Sequence, residues 1–178
     1  MKPKVLLALA TLLFVTASPA RADVTLTPFI GSLFNGQLPT SKVAYGVSLS
    51  GMGAGVIGAE FDFSWTPDFV DATSIHHSVT EASMTGNLIV GIPIGGTHGA
   101  SVRPYAVGGG GFLRATEKNS DFLDRIKAND FVWDLGGGVL GTFNTHVGVR
   151  ADLRYFHTNS SSNEYRFWRG SGGLAFKF

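Results

Sequence analysis

The chain has 178 residues, 14 basic and 13 acidic side chains and no cysteine, which excludes disulfides and thiolate metal sites. The near balance of charge offers no basic surplus for nucleic acid and no acidic tail. Glycine is the outlier: its 24 residues are about twice the ~7% of average usage. Many lie inside apolar segments, where glycine often marks a tight bend of a strand. The length suits a single domain with its own core.

The first 22 residues have the pattern of a cleaved export signal. Lys2 and Lys4 form a short positive region, residues 5–17 are almost entirely apolar, and residues 20–22 supply an Ala-x-Ala cleavage site. The apolar run is shorter than the ~20 residues that a membrane-spanning helix needs. We therefore predict a signal peptide over residues 1–22 and a mature domain over residues 23–178.

Three segments in the first third of the mature chain read as strands. The first, about residues 23–34, is irregular and carries Pro28, which suits weaker pairing. In the next two, apolar residues alternate with small or charged ones, and successive side chains of a strand point to opposite faces. The apolar faces comprise Val43, Tyr45, Val47 and Leu49, then Ile57, Ala59, Phe61, Phe63 and Trp65. Glu60 and Asp62 lie on the opposite face of the third strand.

Three more strands are predicted before residue 142. Their apolar faces comprise Met84, Leu88, Val90 and Ile92, then Tyr105, Val107 and Leu113, then Phe131, Trp133, Leu135 and Val139. The opposite faces carry Glu81 in the fourth strand, Arg114 in the fifth and Asp134 in the sixth.

The last two strands show the clearest alternation. Arg150, Asp152 and Arg154 lie opposite a seventh apolar face, and Arg169 and Lys177 lie opposite an eighth. The two apolar faces comprise Val147, Val149, Ala151, Leu153 and Tyr155, then Trp168, Leu174, Phe176 and Phe178. A charged ladder behind an apolar face is difficult to place in a sandwich core. It fits a wall whose outer surface contacts hydrocarbon.

The connections between these strands alternate in length. Short links fall near residues 52–54 and 142–144, and a moderate one spans residues 93–100. The longer polar links are residues 35–41, 66–78, 116–129 and 159–164. Membrane barrels have short periplasmic turns and longer external loops, so the pattern predicts both termini on the periplasmic side.

Aromatic residues concentrate near the predicted strand ends. Trp65, Trp133 and Trp168 are expected near the external rim, and Phe143 near the periplasmic rim. Such rings favour the interface between hydrocarbon and water. In hydrocarbon an unpaired backbone group costs several kcal/mol, so the first strand must pair with the last.

The chain ends in a pattern of a polar residue, glycine and two aromatics, formed by Ser171, Gly173, Phe176 and Phe178. This tail, together with Arg103-Pro104-Tyr105 running into a glycine-rich stretch, resembles the small bacterial outer-membrane β-barrel family, of the OmpX and OmpA-barrel kind. The resemblance covers essentially all of residues 23–178. It implies an all-β, eight-stranded antiparallel up-and-down transmembrane β-barrel in the cell outer membrane. It also implies that the tail is the signal read by the barrel assembly machinery.

The faces opposite the apolar stripes carry five acids and five bases, which we expect to form a charge network in the lumen. The network comprises Glu60, Asp62, Glu81, Arg114, Asp134, Arg150, Asp152, Arg154, Arg169 and Lys177. An isolated charge in a low-dielectric lumen is costly, and hydrogen-bonded pairing offsets that cost. An eight-stranded barrel is just wide enough for side chains to fill. We favour a salt-bridged plug over an ion path or a catalytic carboxylate pair.

We therefore expect a non-enzymatic protein that serves envelope integrity or surface interaction through its external loops. The expected partners are outer-membrane lipid and lipopolysaccharide, the barrel assembly machinery and a host or surface ligand, with no nucleic acid and no cofactor. His76 and His77 are adjacent residues of a predicted loop, and we interpret them as exposed polar loop residues rather than as metal ligands.

Two alternatives stay open. A lipid A deacylase-like enzyme would use His157 near the outer rim, where a carboxylate such as Glu164 and a neighbouring hydroxyl would complete a nucleophilic site. Asn159, however, stands where the deacylase pattern has Ser. At the level of the fold, a soluble lipocalin-like barrel would turn its apolar face inward and its charged face outward.

Overall fold

A computed structural model describes residues 22–34, 41–71, 78–96, 99–118, 127–159 and 166–178. These residues form eight strands. The strands are β1 (Ala22–Phe34), β2 (Lys42–Gly53), β3 (Ile57–Asp71), β4 (Ser78–Gly91), β5 (Ser101–Lys118), β6 (Lys127–Thr142), β7 (Val147–Asn159) and β8 (Arg166–Lys177). None of the described residues forms a helix that is long and apolar enough to cross a membrane.

Each strand pairs antiparallel with the next, and β1 pairs with β8 to close the barrel. The closing register runs from Thr25 opposite Lys177 to Phe34 opposite Trp168. Beyond the ladder, the backbone N–H of Phe178 donates to the carbonyl of Val24 at 2.9 Å. The predicted eight-stranded antiparallel barrel is confirmed, and closure leaves it without a sheet edge.

The wall of the barrel is apolar on its outside. Leu88, Leu135 and Leu174 are 67%, 60% and 54% exposed, whereas Glu60 and Arg154 are 3% and 1% exposed. This sidedness is the reverse of a soluble barrel, so the lipocalin-like alternative is wrong. An outer surface of this composition is stable only against hydrocarbon.

Both short turns lie where the alternation predicts them, at residues 54–56 and 143–146. In the first, Ala54 and Gly55 have positive φ angles of 49° and 69°, and the N–H of Val56 donates to the carbonyl of Gly53 at 3.0 Å. Two left-handed central residues define the tight hairpin turn whose twist matches that of the strands.

The prediction of the two longest connections was wrong in extent. Strand β3 continues to Asp71 and β4 begins at Ser78. In the same way, β5 continues to Lys118 and β6 begins at Lys127. A register shift interrupts the β3–β4 ladder after Thr66. Beyond the hydrocarbon band a strand needs no apolar face, so backbone pairing continues where the alternation has ended.

The lumen is layered along the barrel axis. An apolar cluster at the external end comprises Leu33, Ala44, Leu113, Val132, Phe156 and Phe167. A second cluster at the periplasmic end comprises Met52, Ile89, Tyr105, Val107, Leu140 and Ala175. The arginines and acids of β3 and β7, including Glu60, Arg150 and Arg154, lie between these two layers. The inward position of Tyr105, Val107 and Leu113 corrects the prediction that they form an outward face.

Candidate functional site

The centre of the charged layer is an ion-pair cluster that spans the lumen from β7 to β3. Arg150 Nη1 lies 2.6 Å from Glu60 Oε2, and Arg154 Nη2 lies 2.7 Å from Glu60 Oε1. These contacts are ion pairs whose angles fall outside hydrogen-bond geometry. The Glu60 side chain is fully buried, and the positive charges of the two guanidinium groups offset the cost of removing its carboxylate from water.

Asp152 joins the same two arginines along their own strand. Arg154 Nε lies 2.6 Å from Asp152 Oδ1, and Arg150 Nη2 lies 2.8 Å from Asp152 Oδ2. The hydroxyl of Tyr105 donates to Asp152 and accepts from Arg150 Nε at 2.6 Å. The Arg150 guanidinium also lies 4.7 Å from the centre of the Tyr105 ring. Tyr105 is therefore part of the network, although it was predicted on the outer face.

Arg169 forms a second ion pair toward the external end. Its Nη2 lies 2.9 Å from Asp62 Oδ1. The guanidinium is stacked between the rings of Phe29 and Phe156, at 4.8 and 4.9 Å from their centres. Cation–π contacts of this kind hold a planar cation in one orientation.

Asp134 and Asn87 line the wall beside Arg154. Arg154 Nη1 lies 3.5 Å from Asp134 Oδ2. The Asn87 amide fits its neighbours when its nitrogen donates to Asp134 at 2.8 Å and its oxygen accepts from Arg154 at 3.1 Å. Glu81 is buried beside the hydroxyls of Thr66 and Ser83, although none of the described groups makes a well-aligned hydrogen bond to its carboxylate.

A separate ion-pair cluster lies at the periplasmic end of the lumen. Asp23 Oδ2 lies 2.9 Å from Lys177 Nζ and 3.3 Å from Arg103 Nη2. The cluster connects β1, β8 and β5, and so bridges the strands that close the barrel. The sequence analysis did not predict that Asp23 and Arg103 belong to an ion-pair cluster in the lumen. Arg103 has the inward parity of Tyr105 and would have been found with the correct face of β5.

The space left between these groups is small. Two cavities beside the network have volumes of about 10 Å³ each. A cavity of that size holds about one water molecule. Among the described residues, no cluster of His, Asp and Glu side chains is arranged to hold a metal ion. The arrangement is suited to filling the lumen.

Residues 5–178 match the family model described as the outer membrane protein beta-barrel domain. The chain belongs to this outer-membrane β-barrel family. Its location is the cell outer membrane. No curated protein sequence matches the chain.

Solved structures similar to this outer-membrane barrel are of the same kind. The N-terminal β-barrel domain of OprF from Pseudomonas aeruginosa is 18% identical, with a TM-score of 0.62. Neisserial surface protein A is 14% identical with a TM-score of 0.67, and Ail from Yersinia pestis is 12% identical with a TM-score of 0.58. In each comparison 88% of this chain and 97% of the other chain are covered. At these identities the likeness establishes the fold.

Most of the predicted lumen residues of this outer-membrane barrel face inward. The buried ones are Glu60, Asp62, Glu81, Asp134, Arg150, Arg154, Arg169 and Lys177, and Asp152 is half-buried among them. The prediction that Arg114 faces the lumen was wrong, because its side chain is exposed on the outer face of β5. Four consecutive glycines at residues 108–111 erase the alternation of that strand, so the sequence does not fix its inward face.

The predicted interface aromatics lie on the outer wall. Trp65, Trp133 and Phe143 are 44%, 38% and 66% exposed, and Trp168 is half-buried beside Tyr155. Trp65 is not at a strand end, because β3 continues to Asp71.

The predicted assembly residues lie in the closing strand β8 and just beyond it. Ser171 and Gly173 are half-buried on its inner face, and Phe176 and Phe178 are 37% and 78% exposed on its outer face.

The residues of the alternative catalytic site are only partly described. His157 faces outward on β7, with its ring 5.1 Å from that of Trp133. His76, His77 and Glu164, as well as the side chain of Asn159, lie outside the described residues.

Proposed function

We propose that this outer-membrane barrel is a non-enzymatic scaffold that holds its external loops at the cell surface for surface interaction or envelope integrity. The observation that carries the proposal is the ion-pair cluster of Arg150, Arg154 and Glu60, which crosses the lumen from wall to wall. A pore requires an open path, and this cross-section is occupied.

The arrangement of the strand ends supports the same proposal. The strands converge in pairs on residues 35–40, 72–77, 119–126 and 160–165, which are the polar connections of one end of the barrel. The other end has two tight turns and a short connection. Binding residues of rigid folds concentrate on such connections because a loop tolerates sequence change that the wall does not.

Loop shortening combined with conductance measurement tests the proposal. Replacing residues 72–77 or 119–126 by a short Gly-Ser turn should abolish surface binding or raise detergent sensitivity of the cells, with the barrel still folded. The wild-type protein should give no channel currents in planar bilayers. Open-channel currents from the wild type, or loop variants that match the wild type in both cellular assays, would contradict the proposal.

The position of His157 supports one alternative function, lipid A deacylation. Its ring lies on the lipid-facing wall near the external end, which is where a group acting on an outer-leaflet lipid must stand. Mass spectrometry of lipid A from cells with and without the gene decides between the functions. An acyl chain lost only in the presence of the gene, and retained with a His157→Ala variant, would establish the enzyme.

A further inference from the structure

One of the two small cavities in the lumen lies between the ion-pair cluster of the periplasmic end and the central cluster. Its volume is about 10 Å³, and it is lined by Arg103 of the first cluster and Arg150 of the second. The other lining residues are Thr25, Ser50, Met52, Ile89, Tyr105 and Leu140. Among the described residues, this cavity is therefore bordered by two guanidinium side chains and by no carboxylate. We call it the Arg103 cavity.

Arg103 is held in place but incompletely paired. Its Nη2 lies 3.3 Å from a carboxylate oxygen of Asp23, which also lies 2.9 Å from Lys177 Nζ. Its Nη1 lies 3.6 Å from the sulfur of Met52, which is a weak acceptor. The side chain is 3% exposed, and its Nε makes no hydrogen bond to any described group. A buried donor without an acceptor is costly, so Arg103 needs an acceptor at this point.

Two hydroxyl groups add further donors to the wall of the Arg103 cavity. Thr25 of β1 lies opposite Ser50 of β2 in the strand register, and these side chains are 3% and 6% exposed. A hydroxyl rotates its proton toward whichever acceptor is close. The hydroxyl of Tyr105, in contrast, donates to Asp152. The donors that can converge on one guest are therefore Arg103 Nε and the hydroxyls of Thr25 and Ser50.

The second cavity beside the network provides an internal comparison. It has the same volume of about 10 Å³, but its lining includes the carboxylates of Asp62 and Asp152 as well as Arg150 and Arg154. Acids and bases balance around it, so a neutral water molecule suits it. The Arg103 cavity has the same size without the acids, and the two cavities therefore differ in the charge of the guest that they favour.

We propose that the Arg103 cavity binds one monatomic anion, chloride, through Arg103 Nε and the hydroxyls of Thr25 and Ser50. The positive charge of its lining favours an anion over a cation. A space of about one water molecule excludes polyatomic anions such as phosphate and sulfate. The bound anion connects β1, β2 and β5, and so stabilises the periplasmic half of the closed barrel. The site goes beyond the scaffold function and does not depend on it.

Urea unfolding of the barrel in lipid vesicles tests the site when chloride is exchanged for methanesulfonate, which is too large for the cavity. A constant ionic strength of roughly 1 M keeps general screening unchanged, with a screening length of about 3 Å. Above the dissociation constant, each tenfold rise in chloride should raise the folding equilibrium constant about tenfold, because the anion binds the folded state alone. Arg103→Gln should abolish this dependence. Thr25→Val should weaken chloride binding about tenfold, the effect of one hydrogen bond to a charged group.

Two matched controls leave the Arg103 cavity intact. Thr27→Val makes the same substitution at the next inward position of β1, which lines the second cavity, and Arg114→Gln removes an exposed cation from the outer wall. Both variants should keep the chloride dependence of the wild type. A wild-type folding constant that does not change with chloride would show that the cavity holds water only and would overturn the proposal. The same dependence in Arg103→Gln as in the wild type would also overturn it.

Crystals of the wild-type barrel grown in bromide test the location of the site without any substitution. Bromide is a monatomic anion with anomalous X-ray scattering, so an anomalous peak is expected beside Arg103 Nε, Thr25 and Ser50. The second cavity should show no such peak, because Asp62 and Asp152 line it. A bromide peak in neither cavity, or equal peaks in both, would contradict the assignment.

Discussion

Arg154 is the side chain on which the charged layer depends most. Its guanidinium reaches Glu60, Asp152 and Asp134 from one position, and its side chain is 1% exposed. A buried charge is costly to dehydrate, and that cost is offset only when its partners stay in place. Removing Arg154 leaves the buried carboxylates of Glu60 and Asp152 with Arg150 as their one remaining contact among these cations, which is more damaging than the loss of a surface ion pair.

Replacing Arg154 with Met should lower the free energy of unfolding by about 3–5 kcal/mol, because Glu60 and Asp152 lose a buried partner. Urea unfolding of the barrel in lipid vesicles, followed by tryptophan fluorescence, measures the change. Arg114→Met is the matched control and should have little effect, because Arg114 is exposed on the outer wall. Equal destabilisation by the two substitutions would show that the lumen cluster does not carry the stability assigned to it.

Tyr105→Phe should lower the free energy of unfolding by about 1–3 kcal/mol, because it leaves Asp152 and Arg150 without a buried hydroxyl partner. Tyr45 is 46% exposed on the outer wall, so Tyr45→Phe provides the same chemical change outside the lumen. The same urea titration compares them. An unchanged Tyr105→Phe barrel would contradict the inward orientation of β5.

At the scale of residues, the sequence predicts charge sidedness where a strand alternates without interruption. Arg150, Asp152 and Arg154 alternate with five apolar residues, so their inward position followed directly. Arg114 and Tyr105 could not be placed, because glycine has no side chain with which to mark a face. The inward charges of β3 and β7 also predict that Arg150 and Arg154 pair with Glu60 or Asp62 across the lumen, and the ion pairs of the structure join these residues.

At the scale of elements, glycine permits the close approach of β4 and β5. A Cβ placed at Gly111 would lie only 1.9 Å from the carbonyl oxygen of Met84 and 2.7 Å from Cα of Thr85. Both atoms belong to the backbone of the neighbouring strand, so the ladder itself would have to move. Strong curvature of a small barrel creates such positions, which accounts for part of the glycine content.

Gly111→Ala should therefore reduce the yield of folded barrel, because backbone atoms of β4 obstruct the added methyl group. Gly86→Ala is the control on the partner strand, where the methyl group meets nothing within 4 Å. The folded fraction is measured by heat-modifiable gel mobility after refolding into detergent. A full yield from Gly111→Ala would show that the two strands can separate without loss of the barrel.

The closing strand carries the proposed assembly signal. Deletion of Phe178 should lower the amount of barrel in the outer membrane of cells while leaving refolding of the purified chain into detergent nearly unchanged. Its N–H bond to Val24 is a single contact at the end of the ladder, so its structural cost is small. Fractionation of cells, with Phe143→Ala as a control for an exposed aromatic, measures the effect. Equal losses in cells and in detergent would assign Phe178 a structural role instead.

The number and order of strands were predictable, because eight alternating segments separated by turns of unequal length fit one closed topology. The ends of β3 and β5 were not. Residues 67–71 continue β3 with no regular apolar face, since backbone hydrogen bonding alone sustains a strand beyond the membrane. Alternation therefore reports the part of a strand that contacts hydrocarbon and underestimates its whole length.

At the scale of the whole molecule, the barrel has a polar interior and an apolar exterior, which is the reverse of a soluble protein. Two apolar layers close the charged layer at its external and periplasmic ends. This layering was not predicted, because its members come from β5 and from isolated positions such as Leu33 and Phe156. Apolar side chains therefore lie on both sides of the central ion-pair cluster, which favours a rigid scaffold over a channel.

The sidedness of the wall is tested most directly by spin labels on single cysteines, because the chain has no native cysteine. Suitable sites are Leu153 and Leu174 on the outer face, and Arg103 and Lys177, which are 3% and 8% exposed at the periplasmic end of the lumen and whose long side chains the label replaces. In lipid vesicles, labels at Leu153 and Leu174 should be relaxed strongly by oxygen, which concentrates in hydrocarbon. Labels at Arg103 and Lys177 should be shielded from it. Strong oxygen relaxation at the lumen sites with water-soluble relaxation at Leu153 and Leu174 would contradict the account.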